Sequence, residues 1–152
     1  MKSLFCFLFA VHVFCFAECK EVTYIGSTPA GVHVKDFLRI SLTDSVDFIR
    51  WKLAVNDRNF TLQCDYGICK PNTNGFIDKK EVNLSGTVKK EGNYYYLPNR
   101  ENALILLELN PNLLHILNAD KRLLVGNSGW SYVLNNTSPQ ATGQFNLVSK
   151  PA

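Results

Sequence analysis

Histidine is scarce in this 152-residue chain: His12, His33 and His115 are the whole supply. With so few imidazoles and no paired carboxylates, there is little material for general acid–base catalysis. Glu108 and Asp120 stand alone. Ser27 precedes Thr28-Pro29 and Ser128 lies between Asn127 and Gly129, so neither sits in a nucleophile elbow. The expectation is that the chain is not an enzyme, with a hydrolase of unrecognised motif as a distant alternative. A clustered basic face is missing too. Sixteen Lys and Arg stand against thirteen Asp and Glu, a net charge of +3. The basic pairs Lys79-Lys80, Lys89-Lys90 and Lys121-Arg122 are scattered, as lysines that protect strand edges often are. Nucleic acid is therefore not an expected partner.

Long apolar runs are also lacking. The longest, Leu4 to Phe16, is broken only by His12 and falls short of the roughly 20 residues that span a bilayer. Met-Lys-Ser precedes it and Glu18 and Lys20 follow, the layout of a secretory signal peptide with cleavage expected after Ala17. The chain is thus read as exported, periplasmic or secreted, without a transmembrane span. A lipid-anchored outer-membrane form is the alternative, although Phe14 before Cys15 and Glu18 before Cys19 suit lipidation poorly. What remains suits one domain, burying roughly two-thirds of its unfolded surface. The expected division is a signal peptide at 1–17, one domain at 18–137 and a polar tail at 138–152, in a monomer.

What is present is β-pattern. "FIRWKLAV" alternates, with Ile49, Trp51, Leu53 and Val55 on one face and Arg50 and Lys52 on the other. "NFTLQC" sets Phe60, Leu62 and Cys64 against Thr61 and Gln63. Further runs begin at Val82, Tyr94, Asn102, Leu113, Arg122 and Trp130, separated by turn clusters such as Asn56-Asp57-Arg58-Asn59 and Asn127-Ser128-Gly129. Short strands at this spacing predict an all-β fold, an antiparallel barrel or sandwich of about eight strands. One short helix is expected near residues 32–40, "VHVKDFLRI".

Cys64 and Cys69 flank Tyr66-Gly67. If those two residues form a hairpin loop, Gly67 supplies the positive φ and the cysteines face each other. Opposed Cβ atoms there lie about 4.5–5.5 Å apart, close to the roughly 3.5–4.5 Å of a disulfide. A structural disulfide is expected, contributing about 2 kcal/mol for so short a loop. Two separate thiols, or a metal or redox site, are the alternatives. Metal ligation has weak candidates in His33, His115 and Cys19, none close to another in sequence. Trp51, Tyr66, Trp130 and Tyr132 are candidate ligand contacts if the barrel has an open mouth. The corresponding alternative function is a carrier of a small hydrophobic ligand.

"YIGSTPAGVH" (Tyr24 to His33), "FIRWKLAVNDRNFTLQCDYG", "KPNTNGF" and "LLVGNSGWSYVLN" together resemble the NlpE family of envelope lipoproteins, called copper resistance or copper homeostasis proteins, and short secreted bacterial proteins grouped with them. The resemblance implies a small antiparallel barrel, lipocalin-like in outline, and a role in envelope stress signalling and metal or surface sensing, not catalysis; the expected partner is a small ligand or an envelope protein. It also implies a Cys-x-x-Cys. Ala30 and His33 stand at those two positions here, so copper is not an expected cofactor.

Overall fold

The computed structural model describes residues 20–137. The expected signal peptide, Cys19 and the polar tail lie outside the described residues. The nine strands are β1 (Val22–Pro29), β2 (Phe48–Val55), β3 (Asn59–Cys69), β4 (Phe76–Thr87), β5 (Lys89–Glu91), β6 (Tyr94–Asn99), β7 (Asn102–Asn110), β8 (Leu113–Leu117) and β9 (Val133–Asn136). One helix, α1 (Val32–Leu38), follows β1.

All nine strands form a single antiparallel sheet in the order β4-β3-β2-β1-β9-β8-β7-β6-β5, curled into a half-barrel. Its two edge strands are consecutive in the chain, separated only by Val88. The expected runs match most of these strands, but β1 (Val22–Pro29) is not among them, the run at Arg122 is not a strand, and the run beginning at Val82 divides at Val88 between β4 and β5. Phe60 and Pro98 both approach that corner at Gly86, where a Cβ would lie 3.0 Å from the Phe60 ring and 3.9 Å from the Pro98 carbonyl.

The period-2 reading of β2 and β3 holds. Ile49, Trp51, Leu53 and Val55 are buried, as are Phe60, Leu62, Cys64 and Tyr66, while Arg50, Lys52, Thr61 and Gln63 are exposed. In-register pairing of Trp51 with Cys64 and Leu53 with Leu62 places these inner residues side by side. Leu97, Leu106, Leu114, Ile116 and Leu134 complete the concave face, each with 0 % of its surface exposed.

Asparagine side chains build the turns. Asn56 Oδ1 accepts from the amides of Arg58 and Asn59 at 2.9 and 2.8 Å, and Asn127 Oδ1 from those of Gly129 and Trp130 at 3.0 and 2.9 Å. The run beginning at Arg122 is not a strand. It makes one isolated bridge, Leu117 to Leu123, and leaves Leu123 and Val125 exposed. Without a neighbouring strand to pair, the apolar pattern there has no ladder to join.

A seven-residue helix is too short to hold itself. Burial of Val34, Phe37 and Leu38, spaced i, i+3, i+4, holds α1 against the core. Arg39 ends it in the left-handed region (φ 58°), with the Arg39 amide bonding Asp36 O and the Ile40 amide bonding Lys35 O. Asn99 Nδ2 donates to Phe37 O at 2.6 Å and Asn102 Nδ2 to Asp36 Oδ2 at 2.9 Å, fixing α1 to the β6–β7 turn.

Candidate functional site

The four aromatic candidates do not line one mouth. Trp51 is 1 % exposed, and its indole N–H donates to Thr28 Oγ1 at 2.9 Å. Tyr66 is buried, with Lys80 Nζ 6.0 Å from its ring centre. Tyr132 is buried beside Gly31. Trp130 is on the outer surface, stacked on Phe48 with centroids 4.9 Å apart, and Phe76 stacks on Phe48 at 4.2 Å. On the concave face Ile49, Leu53, Leu97, Leu106, Leu114, Ile116 and Leu134 have no exposed surface.

The cysteine hairpin expectation is corrected. Tyr66 and Gly67 lie inside β3, which runs unbroken to Cys69 with a bulge between Tyr66 and Ile68. Gly67 is a close-approach glycine, its Cβ position 3.1 Å from Ile77 O. Five residues along one strand separate the cysteines by roughly 16 Å, far beyond the reach of a disulfide, and both thiols are free. Burial, followed by the Asp65 charge, pushes the Cys64 thiol well above its ordinary range. The turn is instead at Lys70–Gly75, closed by the Lys70 amide on Gly75 O at 3.1 Å.

No group of three or more His, Cys, Asp or Glu side chains converges among the described residues. His33 is exposed on α1, Ala30 offers no donor, and His115 Nε2 lies 3.0 Å from Leu124 O, under the loop that follows β8. Likewise, no helix among the described residues is long and apolar enough to cross a membrane.

Two polar constellations remain that sequence reading did not single out. One closes the end of the sheet opposite α1. Lys90 Nζ donates to Tyr95 Oη at 2.6 Å and to Glu108 Oε2 at 3.1 Å, and Tyr95 Oη donates to the same Glu108 oxygen at 2.9 Å. Tyr24 Oη is 3.5 Å from Pro111 O. Burial, with help from Tyr95 and Glu108 and against Lys90, pushes the Tyr24 hydroxyl up to about 12. The network satisfies itself, so its chemistry is that of a polar plug.

The other is a groove on the outer face, across β9, β1, β2 and β3. Registers Ser27–Arg50–Asp65 and Asn135–Ile25–Lys52–Gln63 set two rows of side chains next to each other. The groove has a volume of about 470 Å³ and adjoins a second depression of about 390 Å³, which shares Lys52 and Gln63 and extends to Asn83 and Ser85. Asp65, directly opposite Arg50, is ion-paired with Lys79 at 3.2 Å. Arg50 instead donates to Asn74 O and lies 5.2 Å from the centre of the Phe76 ring. Among the described residues, the side chains of Ser27, Lys52, Gln63 and Asn135 make no hydrogen bond or ion pair at all. The groove therefore offers two cations without carboxylate partners, beside free amide and hydroxyl groups and the Asp65 carboxylate, which is paired with Lys79.

Comparison with protein-family models, curated proteins and solved structures finds no match to this chain.

Proposed function

We propose that this chain is an exported, non-catalytic binding protein of the envelope-stress kind that its sequence resembles, and that it binds through the outer groove around Lys52. The observation that carries the reading is the convergence of four unpartnered polar side chains, Ser27, Lys52, Gln63 and Asn135, on one groove. Amide, hydroxyl and ammonium groups without an internal partner keep their donors and acceptors available to a ligand. The fully buried aliphatic side chains of the concave face, Leu97, Leu106, Leu114, Ile116 and Leu134, are already packed in the core, so the alternative of a hydrophobic-ligand carrier, which needs a cavity of at least about 300 Å³, has less support. The self-satisfied Lys90–Tyr95–Glu108 plug leaves no acid–base pair facing a substrate, so a hydrolase has no better support.

The test is photo-crosslinking. A benzophenone amino acid is placed at Gln63 and, as control, at exposed Lys89 on β5, and the protein is expressed in its own host. A discrete crosslinked species from position 63 and none from position 89 supports the reading. Equal labelling at both positions, or recovery of a stoichiometric lipid-soluble molecule from the purified protein, would replace it with the carrier or with no binding at all.

A further inference from the structure

The geometry points to a saccharide bearing a carboxylate, such as a uronic acid unit, as the ligand of the outer groove. This rests on the groove being the binding surface proposed above. Three features select the class.

The first is charge. Lys52 lies in the middle row with no acidic partner, and Arg50 one row away has lost its cross-strand carboxylate to Lys79. The carboxylate that lines the groove, Asp65, is ion-paired with Lys79. The second is the neutral lining. Gln63 and Asn135 each present an amide with both donor and acceptor capacity, and Ser27 a hydroxyl. A ligand matching them carries several hydroxyl groups around one carboxylate. Ile25, 46 % exposed between Asn135 and Lys52, supplies an apolar contact for a ring face.

The third feature speaks against an extended peptide added as a strand. Peptides commonly add to a sheet through a free strand edge, using main-chain hydrogen bonds. Here β1, β2 and β3 are each paired on both sides, with β9 and β4 flanking them. The floor of the groove therefore offers side chains alone, and recognition falls to amides, hydroxyls and cations. The volume of about 470 Å³ lies within the range of roughly 300–1,000 Å³ of small-ligand sites.

The experiment is an NMR titration of ¹⁵N-labelled protein at low salt with three probes of matched length: tetragalacturonate, the neutral tetrasaccharide maltotetraose, and tetraglutamate. The expected result is saturable binding of tetragalacturonate, with shifts confined to residues around Ser27, Lys52, Gln63 and Asn135, and at least tenfold weaker binding of the other two. Lys52→Met should weaken tetragalacturonate binding about tenfold and Gln63→Ala severalfold. Both positions are exposed, and unchanged circular dichroism confirms the fold. Tetraglutamate binding as tightly as tetragalacturonate would reduce the site to bare charge and overturn the saccharide class. So would the absence of shifts at millimolar tetragalacturonate, or shifts centred elsewhere. Should the position-63 crosslink to an envelope component persist while tetragalacturonate fails, the saccharide inference falls and the binding reading stands.

Discussion

The indole N–H of Trp51 donates to the hydroxyl of Thr28 at 2.9 Å, and both residues are almost completely buried, at 1 % and 0 % exposure. The bond ties the end of β1 to the middle of β2 on the concave face. Thr28→Val keeps the shape and removes the acceptor, leaving a buried indole donor without a partner. A loss of about 1–3 kcal/mol is expected, read as a lower midpoint in urea with an unchanged slope. Thr28→Ser keeps the hydroxyl and should cost less.

A second prediction concerns the two thiols. Cys64 is fully buried and its thiol is pushed up by burial, whereas Cys69 is half-exposed at the end of β3. In native protein, iodoacetamide should label Cys69 within minutes and leave Cys64 unlabelled until denaturant is added. A Cys64–Cys69 peptide linked in a non-reducing digest would contradict the continuous β3 strand.

A third follows from Gly31. A Cβ built there would come within 2.4 Å of the Tyr132 hydroxyl oxygen. Gly31→Ala is expected to destabilise by about 1–3 kcal/mol through overpacking. Tyr132→Phe removes the obstructing oxygen, so the double variant should recover part of the loss. Strict additivity in a double-mutant cycle would deny the contact.

The fourth is a pH profile. Tyr24 is raised from its ordinary 10.0 to about 12, first by burial and then by Tyr95 and Glu108; Tyr95 and Tyr132 are raised as well, chiefly by burial. Each folded hydroxyl holds its proton more tightly than the unfolded chain does. The stabilisation is therefore complete below pH 10 and is lost as pH climbs from about 10 to about 12. Thermal midpoints should fall across that window, and Tyr24→Phe should shrink the fall.

A fifth concerns copper. Cys64 and Cys69 cannot chelate one ion from opposite ends of the same strand segment, and His33 and His115 lie apart on α1 and β8. Residues 20–137 should show no tight stoichiometric Cu(I) binding in chelator competition, reduced or oxidised. Tight binding abolished by His33→Ala would restore the metal role that the family resemblance suggests.

Much of the sheet was legible because burial on one face imposes strict alternation, as in Phe48–Val55 and Phe60–Cys64. Gly67 was misread for a physical reason: a glycine between two cysteines satisfies a hairpin and a bulge equally well, and only the cross-strand approach of Ile77 O distinguishes them. The outer groove was half legible. Alternation put Arg50, Lys52 and Gln63 on the outward face, but an outward polar residue is by default merely solvated. Their convergence depends on the register of β2 against β3 and on that of β9 against β1, the second of which pairs residues more than a hundred positions apart. The plug was hidden because Lys90 read as an edge lysine and Glu108 as an isolated acid, and only the β6–β7 pairing and the β5–β6 turn bring them together.

The pairing of β1 with β9 makes this fold one that assembles only at the finish. Tyr24 must wait for Asn136, so at roughly 5–20 residues per second the first strand goes without one neighbour for on the order of 5–20 s of synthesis. Until then two sticky edges, those of β1 and β8, face solvent together. Contacts spanning nearly the whole chain also slow the search for the native state. A chain built this way remains open and threadable until its last strand arrives, and removing the four residues of β9 would leave a sheet split at its middle.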